Sequence, residues 1–177
     1  KTSFLIENGL TGIVGPNGCG KSNIVESLRW VMGETSAKSM RGSGMEDVIF
    51  SGTSNKTSKN IAEVSVTVAN ENNEGPIQFR ELNEVNVRRK IEKDKGSKFY
   101  INDKEVRARD AQMFFADLST GAHSPSMISQ GRIGALVTAK PTDRRAILEE
   151  AAGISGLHVR RHEAELRLSA AENNLKR

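Results

Sequence analysis

The sequence predicts an α/β fold that combines a mixed sheet with a separate antiparallel β region. Three observations predict it. A glycine-rich loop separates an apolar strand from an amphipathic helix, apolar and polar residues alternate through the middle third, and helical periodicity returns in the last third. A chain of 177 residues can form one domain that buries roughly two thirds of its unfolded surface.

The composition limits the class of protein. Hydrophobic residues make up 36% of the sequence, and no run of about 18 apolar residues could span a bilayer. The opening residues lack the apolar stretch of a secretory signal, and the single cysteine allows no internal disulfide, so we expect a cytoplasmic protein without a membrane segment. The net charge of +4 permits contact with nucleotide or DNA, and a solvated basic surface explains it equally well.

The first third predicts strand, loop and helix. Short apolar runs at 4–6 and 10–14 predict two strands. From 21 to 32 the apolar residues recur at spacings of three and four, which predicts a helix, and Gly33 is placed to cap its C-terminus. A polar loop and a short strand over 47–50 complete this third.

The middle third predicts antiparallel strands. Residues 61–69 alternate between valine or alanine and polar side chains, as in a half-buried strand, and residues 85–91 continue that period. Between 99 and 106, Asn102-Asp103 is placed as the two-residue turn of a hairpin.

The last third predicts helices over 108–118 and 142–152, the latter with Pro141 at its first position. Gly153 and Gly156 then interrupt the helical pattern. Beyond them, apolar residues fit the a and d positions of a coiled coil, although an ordinary amphipathic helix explains three heptads nearly as well. We therefore expect a globular domain over 1–154 and the start of a coiled-coil arm over 155–177.

The glycine-rich loop matches the phosphate-binding pattern G-x-x-x-x-G-K-[ST] and lies between a predicted strand and a predicted helix. Its residues are Gly15, Pro16, Asn17, Gly18, Cys19, Gly20, Lys21 and Ser22. Backbone N–H groups of such a loop surround a β-phosphate, and the helix N-terminus adds partial positive charge. Lys21 suits the β- and γ-phosphates, the Ser22 hydroxyl suits Mg²⁺, and Asn23 follows in the same predicted site. The loop predicts a P-loop protein that binds a nucleoside triphosphate with Mg²⁺, and the family resemblance described below implies that this nucleotide is ATP.

Cys19 and the histidines do not predict a metal site. The backbone N–H of Cys19 can serve the phosphates while its side chain has no neighbouring ligand in the sequence. His158 and His162 are four residues apart, but no third ligand accompanies them.

Several ordered segments resemble the bacterial form of the SMC (structural maintenance of chromosomes) family. They read ESLRWVMGE at 26–34, SAKSMRG at 36–42, MEDVIF at 45–50, SQGR at 129–132, DRR at 143–145 and EEAAGI at 149–154. The resemblance implies the amino-terminal lobe of an ABC-type ATPase head whose function is chromosome condensation and segregation at the nucleoid. Implied partners are the carboxy-terminal head segment of the same protein, a second head in a homodimer, a kleisin-type subunit and DNA.

The resemblance also implies roles for single residues. Gln130 matches the glutamine of the family's Q-loop, which supports Mg²⁺, and Arg41 matches the arginine of its R-loop, which approaches the phosphates. Arg107 and Arg109 stand where similar proteins present basic residues to DNA, and ordinary solvated arginines are an equal alternative. Gly44 replaces a lysine that bacterial members often carry, which puts a DNA contact there in doubt.

The sequence lacks an Asp-Glu pair, the Walker B aspartate and catalytic glutamate of such ATPases. Residues 118–121 resemble a signature motif, but they follow a predicted helix. Residues 113–117 resemble a Walker B strand, but they lie within that predicted helix. We therefore expect ATP hydrolysis only in the complete dimerised head, with no catalytic residue in this segment. A repair ATPase resembling Rad50 or RecN is the alternative, and a small-molecule kinase or transporter-type ATPase fits less well.

Overall fold

The computed structural model describes residues 2–40, 42–70, 76–118, 120–121, 127–128, 134, 137–152 and 155–175. The helices and strands are, in chain order, α1 (Lys21–Val31), β1 (Ile61–Ala69), β2 (Glu84–Glu92), β3 (Gly96–Ile101), β4 (Lys104–Val106), α2 (Ala108–Asp117), α3 (Pro141–Ala151) and α4 (Ser155–Leu175). Short 3-10 helices occupy Lys38–Met40, Met45–Val48 and Ile77–Phe79.

The four strands form one antiparallel sheet in the order β1-β2-β3-β4. The alternation of apolar and polar residues places one face of each strand inward, because successive side chains point to opposite faces. The tight turn between β3 and β4 has positive φ angles at Asn102 (47°) and Asp103 (63°), as a two-residue hairpin requires. The predicted antiparallel region and its hairpin are confirmed.

The inner face of the sheet packs against α1 and α2. One cluster of buried side chains joins the strands to α2 and to the end of α1, and consists of Val31, Val85, Val87, Phe99, Ile101, Ala111, Phe114 and Phe115. A second cluster joins Trp30, Ile49 and Ile91 beside the start of β1. Helix α1 is therefore held against the sheet by its last turn, where Trp30 and Val31 are fully buried.

Helix α1 ends as the sequence predicts. Gly33 adopts φ +105°, and its N–H donates to the carbonyl of Trp30 at 3.2 Å. The N–H of Glu34 donates to the carbonyl of Arg29 at 3.2 Å. These two bonds form a Schellman motif, which satisfies carbonyls that have no partner within the helix.

The strands predicted over 4–6 and 10–14 are wrong. Residues 2–20 contain no helix or strand, and apolar side chains of this segment are exposed, among them Leu5 (82%) and Val14 (93%). A strand exists only where a partner supplies hydrogen bonds. The four described strands pair only with one another, so neither segment has a partner strand among the described residues.

The short strand predicted over 47–50 is also wrong, because residues 45–48 form a turn of 3-10 helix. The carboxylate of Asp47 accepts hydrogen bonds from the N–H groups of Ser43 (2.7 Å) and Gly44 (3.0 Å). The bond from the Gly44 N–H, followed by those from the Ser43 hydroxyl and N–H, lowers the pKa of Asp47. A side chain that bonds the preceding backbone favours a helical turn over an extended strand.

The predicted helices of the last third are confirmed as α2 and α3, with Pro141 first in α3. Residues 113–117 are helical, so they are not a Walker B strand. Helix α4 starts at Ser155 and contains Gly156, which therefore does not interrupt the helix, whereas Gly153 lies outside the described residues.

The domain boundary at 154 and the coiled coil stay predictions. None of the described helices is long and apolar enough to cross a bilayer.

Candidate nucleotide-binding site

The glycine-rich loop of residues 15–22 leads directly into helix α1, which begins at Lys21. Gly18 (φ +79°) and Gly20 (φ +93°) take left-handed conformations that side chains with a Cβ rarely adopt. Gly20 is the N-cap of the helix, and its carbonyl accepts the first bond, from the N–H of Asn23 at 3.0 Å. The loop therefore curls over the helix N-terminus, where backbone N–H groups and the helix dipole favour an anion.

The ammonium group of Lys21 lies within the loop. Its Nζ donates to the carbonyls of Gly15 and Pro16, both at 2.6 Å, and lies 3.8 Å from Sγ of Cys19. The side chain therefore folds back from the helix toward the loop, and its positive charge lies beside the carbonyls of Gly15 and Pro16. A phosphate in this curve would meet the ammonium and the backbone N–H groups together.

Ser22 and Asn23 lie in the first turn of α1 and are exposed. A hydroxyl one residue after the phosphate-binding lysine is the type of ligand that Mg²⁺ takes from a protein beside nucleotide phosphates. The donors and the hydroxyl present here thus fit a magnesium nucleotide. Cys19 is exposed, and nothing beyond its backbone position is needed for that fit.

Arg41 and Gln130, assigned to the site by resemblance, lie outside the described residues. Their roles toward phosphate and Mg²⁺ stay predictions.

Arg107 and Arg109 lie where strand β4 passes into helix α2. Both are exposed, and the backbone N–H of Arg107 donates to Oδ2 of Asp110 at 3.2 Å, which starts the helix. Val106, the last residue of β4, pairs with Phe99 of β3. Arg107 follows Val106 in the chain, and Lys98 precedes Phe99. Lys98 in turn pairs with Lys90. On the outer face, however, Lys98 forms an ion pair with Glu105 of β4 at 3.0 Å, so the cations there alternate with carboxylates.

Arg89 was not predicted to be buried. It occupies an inward position of β2 between Val87 and Ile91, and only 3% of it is exposed. Its Nη1 donates to the carbonyls of Trp30 and Glu34, each at 2.7 Å, just where helix α1 ends. Burial lowers the pKa of Arg89 to about 10, while the carboxylate of Glu34 acts in the opposite direction. The sequence places Arg89 in phase with the inward residues Val87 and Ile91, but that alternation alone predicts an apolar side chain at this position.

A family model described as "RecF/RecN/SMC N terminal domain" matches residues 1–133. That match covers most of the chain, and it includes the loop, α1, the whole sheet and α2. The chain belongs to this SMC-containing family. Among its curated relatives, "Chromosome partition protein Smc" of Rhodopseudomonas palustris is 55% identical over 176 residues, and that of Cereibacter sphaeroides is 57% identical over 176 residues.

Each of those alignments covers 99% of this SMC-family chain but 15% of the relative. The chain therefore spans about a seventh of the length of these relatives. Relatives named as chromosome partition proteins favour the SMC branch over the Rad50 or RecN alternative.

Solved SMC heads share the fold. One structure, described as "Structural biochemistry of ATP-driven dimerization and DNA stimulated activation of SMC ATPases", matches with a TM-score of 0.70 and 30% identity, and covers 82% of this chain and 86% of its own. An Smc head from Pyrococcus furiosus with an extended coiled coil, bound to the C-terminal domain of ScpA, has a TM-score of 0.71 and 30% identity over 92% of this chain and 40% of its own. The predicted fold, the amino-terminal lobe of an ABC-type head, is confirmed, but the sheet among the described residues is antiparallel throughout, so the predicted mixed sheet is not found there.

Proposed function

We propose that this chain is the ATP-binding part of an SMC head. Together with a carboxy-terminal head segment and a second head, it binds and hydrolyses ATP to organise and segregate chromosomal DNA. The observation that carries the proposal is the position of the Lys21 ammonium, 2.6 Å from two carbonyls inside a glycine loop at the start of α1. Family membership supports the same function.

In this proposal the residues of the loop have separate tasks. Backbone N–H groups of residues 15–20 hold the β-phosphate, and Lys21 turns from the loop carbonyls to the β- and γ-phosphates. Ser22 and, by resemblance, Gln130 ligate Mg²⁺, which neutralises the triphosphate when bound. Asn23 lies beside Ser22 at the edge of the site, and Arg41 approaches the phosphates when two heads engage.

The exposed apolar segment of residues 4–14 supports a carboxy-terminal head segment as partner. Phe4 (58% exposed), Ile6 (64%) and Leu10 (102%) lie within the two segments for which the sequence predicts strands. Pairing with strands from the remaining part of the protein would bury these side chains and complete a mixed sheet next to the loop.

Further partners are proposed from the relatives. A solved SMC head is described as bound to ScpA, and we propose that a kleisin-type subunit binds this protein too. Another structure is described by ATP-driven dimerization and DNA-stimulated activation, which supports a homodimer of heads and a DNA contact at Arg107 and Arg109. A DNA-organising role places the protein in the cytoplasm at the nucleoid.

Direct binding measurements test the proposal. Titration of the complete protein with Mg-ATP should show saturable binding, and Lys21→Ala should weaken it about 10- to 150-fold, the value of one or more charge-assisted hydrogen bonds to phosphate. Lys104→Ala, an exposed lysine on β4 away from the loop, is the matched control and should bind ATP as the unaltered protein does. Equal affinity for ATP in the unaltered protein and Lys21→Ala would refute the assignment.

A further inference from the structure

Arg89 is buried, whereas the residues on either side of it in β2 lie on the other face of the sheet. Successive residues of β2 point to opposite faces, so Arg88 and Lys90 lie on the outer face while Arg89 points inward. On that outer face Arg88 lies over the ring of Tyr100 and bonds Asp103 at 3.0 Å. One strand thus carries cations to both sides of the sheet.

Inside the sheet, Arg89 connects three elements. Its Nε donates to Oγ of Ser97 on β3 at 2.7 Å. Its guanidinium lies between two rings, 4.5 Å from the centre of Trp30 on α1 and 4.6 Å from that of Phe99 on β3. Its Nη1 bridges the carbonyls of Trp30 and Glu34, and a planar guanidinium suits such a bridge better than an ammonium does.

A single row of the sheet leads from this side chain to the candidate DNA contacts. Arg89 is the partner of Phe99 on β3, and Phe99 is the partner of Val106 on β4. Arg107 follows Val106 directly. The inward row therefore runs from Val106 through Phe99 to Arg89 and on to the end of α1, and Arg107 adjoins this row through the backbone.

Helix α1 completes the connection because its other end is the phosphate-binding loop. It has 11 residues and is therefore about 16 Å long, from Lys21 beside the loop to the last turn, where Arg89 bonds the carbonyl of Trp30. Gln112 of α2 also donates to the carbonyl of Gly33 at 2.7 Å, which ties the end of α1 to the helix whose N-cap is Arg107.

We propose that Arg89 is a positioning residue that couples the DNA-facing side of the sheet to the phosphate-binding loop. DNA held at Arg107 and Arg109 shifts the row through Phe99, Arg89 moves the end of α1, and the loop changes its hold on ATP. This coupling rests on the proposed binding of ATP and DNA.

The test compares two variants of the complete protein. Arg89→Lys keeps the positive charge and can bond one of the two carbonyls, so the protein should fold. Val85→Ala, on the same strand and the same buried face, is the matched control for lost stability. For each protein we would measure the thermal midpoint, the affinity for duplex DNA without nucleotide, and ATP turnover with and without DNA.

A loss of stability affects turnover with and without DNA alike, whereas a loss of coupling affects their ratio. In Arg89→Lys the ratio should fall about 5-fold or more, the lower end of ordinary coupling between sites, with DNA affinity unchanged. Val85→Ala should keep the ratio of the unaltered protein despite a lower thermal midpoint.

Two results would overturn the inference while the proposed function stands: an unaltered ratio in Arg89→Lys, or an equal fall in Val85→Ala. An unaltered protein that binds neither ATP nor DNA would overturn the proposed function, and the coupling with it.

Discussion

Gly33 shows how much depends on one residue. It is buried at the end of α1 with φ +105°, and a Cβ added there would collide with the Cγ atom of Gln112. Gln112 would have to move and would lose its bond to the Gly33 carbonyl. The residue thus combines a left-handed conformation with a close approach of two helices.

We predict that Gly33→Ala lowers the free energy of unfolding by about 2 to 3 kcal/mol, from the left-handed conformation and the lost hydrogen bond together. Denaturant unfolding of the complete protein measures it. The control is Gly44→Ala, at φ −138° with open space around the added methyl group, which should change stability by less than about 0.5 kcal/mol. Equal losses in both variants would show that the approach of Gln112 is unimportant.

At this scale the sequence predicts some residues and not others. The capping role of Gly33 follows from its place after the last apolar residue of a helical period. The burial of Arg89 does not follow, because alternation predicts an apolar side chain at an inward position. Carbonyls from the end of α1 face that position, and only the tertiary arrangement reveals them.

At the scale of elements, local signals were sufficient for the antiparallel sheet. Residues 61–69 form a strand with the predicted bounds, since alternation and tight turns are properties of neighbouring residues. The strands predicted over 4–6 and 10–14 are wrong because neither segment pairs with a strand among the described residues, and periodicity does not reveal whether a partner strand is present. Residues 47–50 failed because the Asp47 side chain closes a turn.

The junction of β4 and α2 carries the next prediction. If Arg107 and Arg109 contact DNA phosphates, replacing each by glutamate should weaken binding to every DNA sequence and lower the slope of log affinity against log salt by about one unit per lost contact. Equilibrium binding of the complete protein over a range of salt concentrations measures the slope.

Arg80→Glu provides the control for that experiment, because it makes the same change of charge at an exposed position near the opposite end of the sheet. Its salt slope should match that of the unaltered protein. A slope that falls equally in all three variants would indicate a general effect of net charge and would return Arg107 and Arg109 to the solvated surface.

For the whole molecule, the prediction concerns turnover. The chain carries the phosphate loop, whereas the sequence has no Asp-Glu pair to activate water. Binding needs the loop, but lowering the barrier needs charges and positioning from elsewhere. ATP hydrolysis by the isolated chain should stay at background and appear when a carboxy-terminal head segment able to dimerise is added, as measured by phosphate release.

The control for turnover is Lys21→Ala in the reconstituted head, which should return phosphate release to background, as should Gln130→Ala. A steady rate from the isolated chain that Lys21→Ala abolishes would show that the catalytic groups lie within this segment after all.

The exposed apolar segment of residues 4–14 also has a consequence in time. The rest of a relative such as that of Rhodopseudomonas palustris amounts to about 1,000 residues, because 176 residues are 15% of its length. A ribosome adding ~5–20 residues per second needs roughly one to three minutes for that distance. Under the proposed pairing, Phe4 and Leu10 await their partner strands throughout that interval. We therefore expect that, under this pairing, the lobe exposes an aggregation-prone apolar segment during synthesis, which chaperones would have to cover.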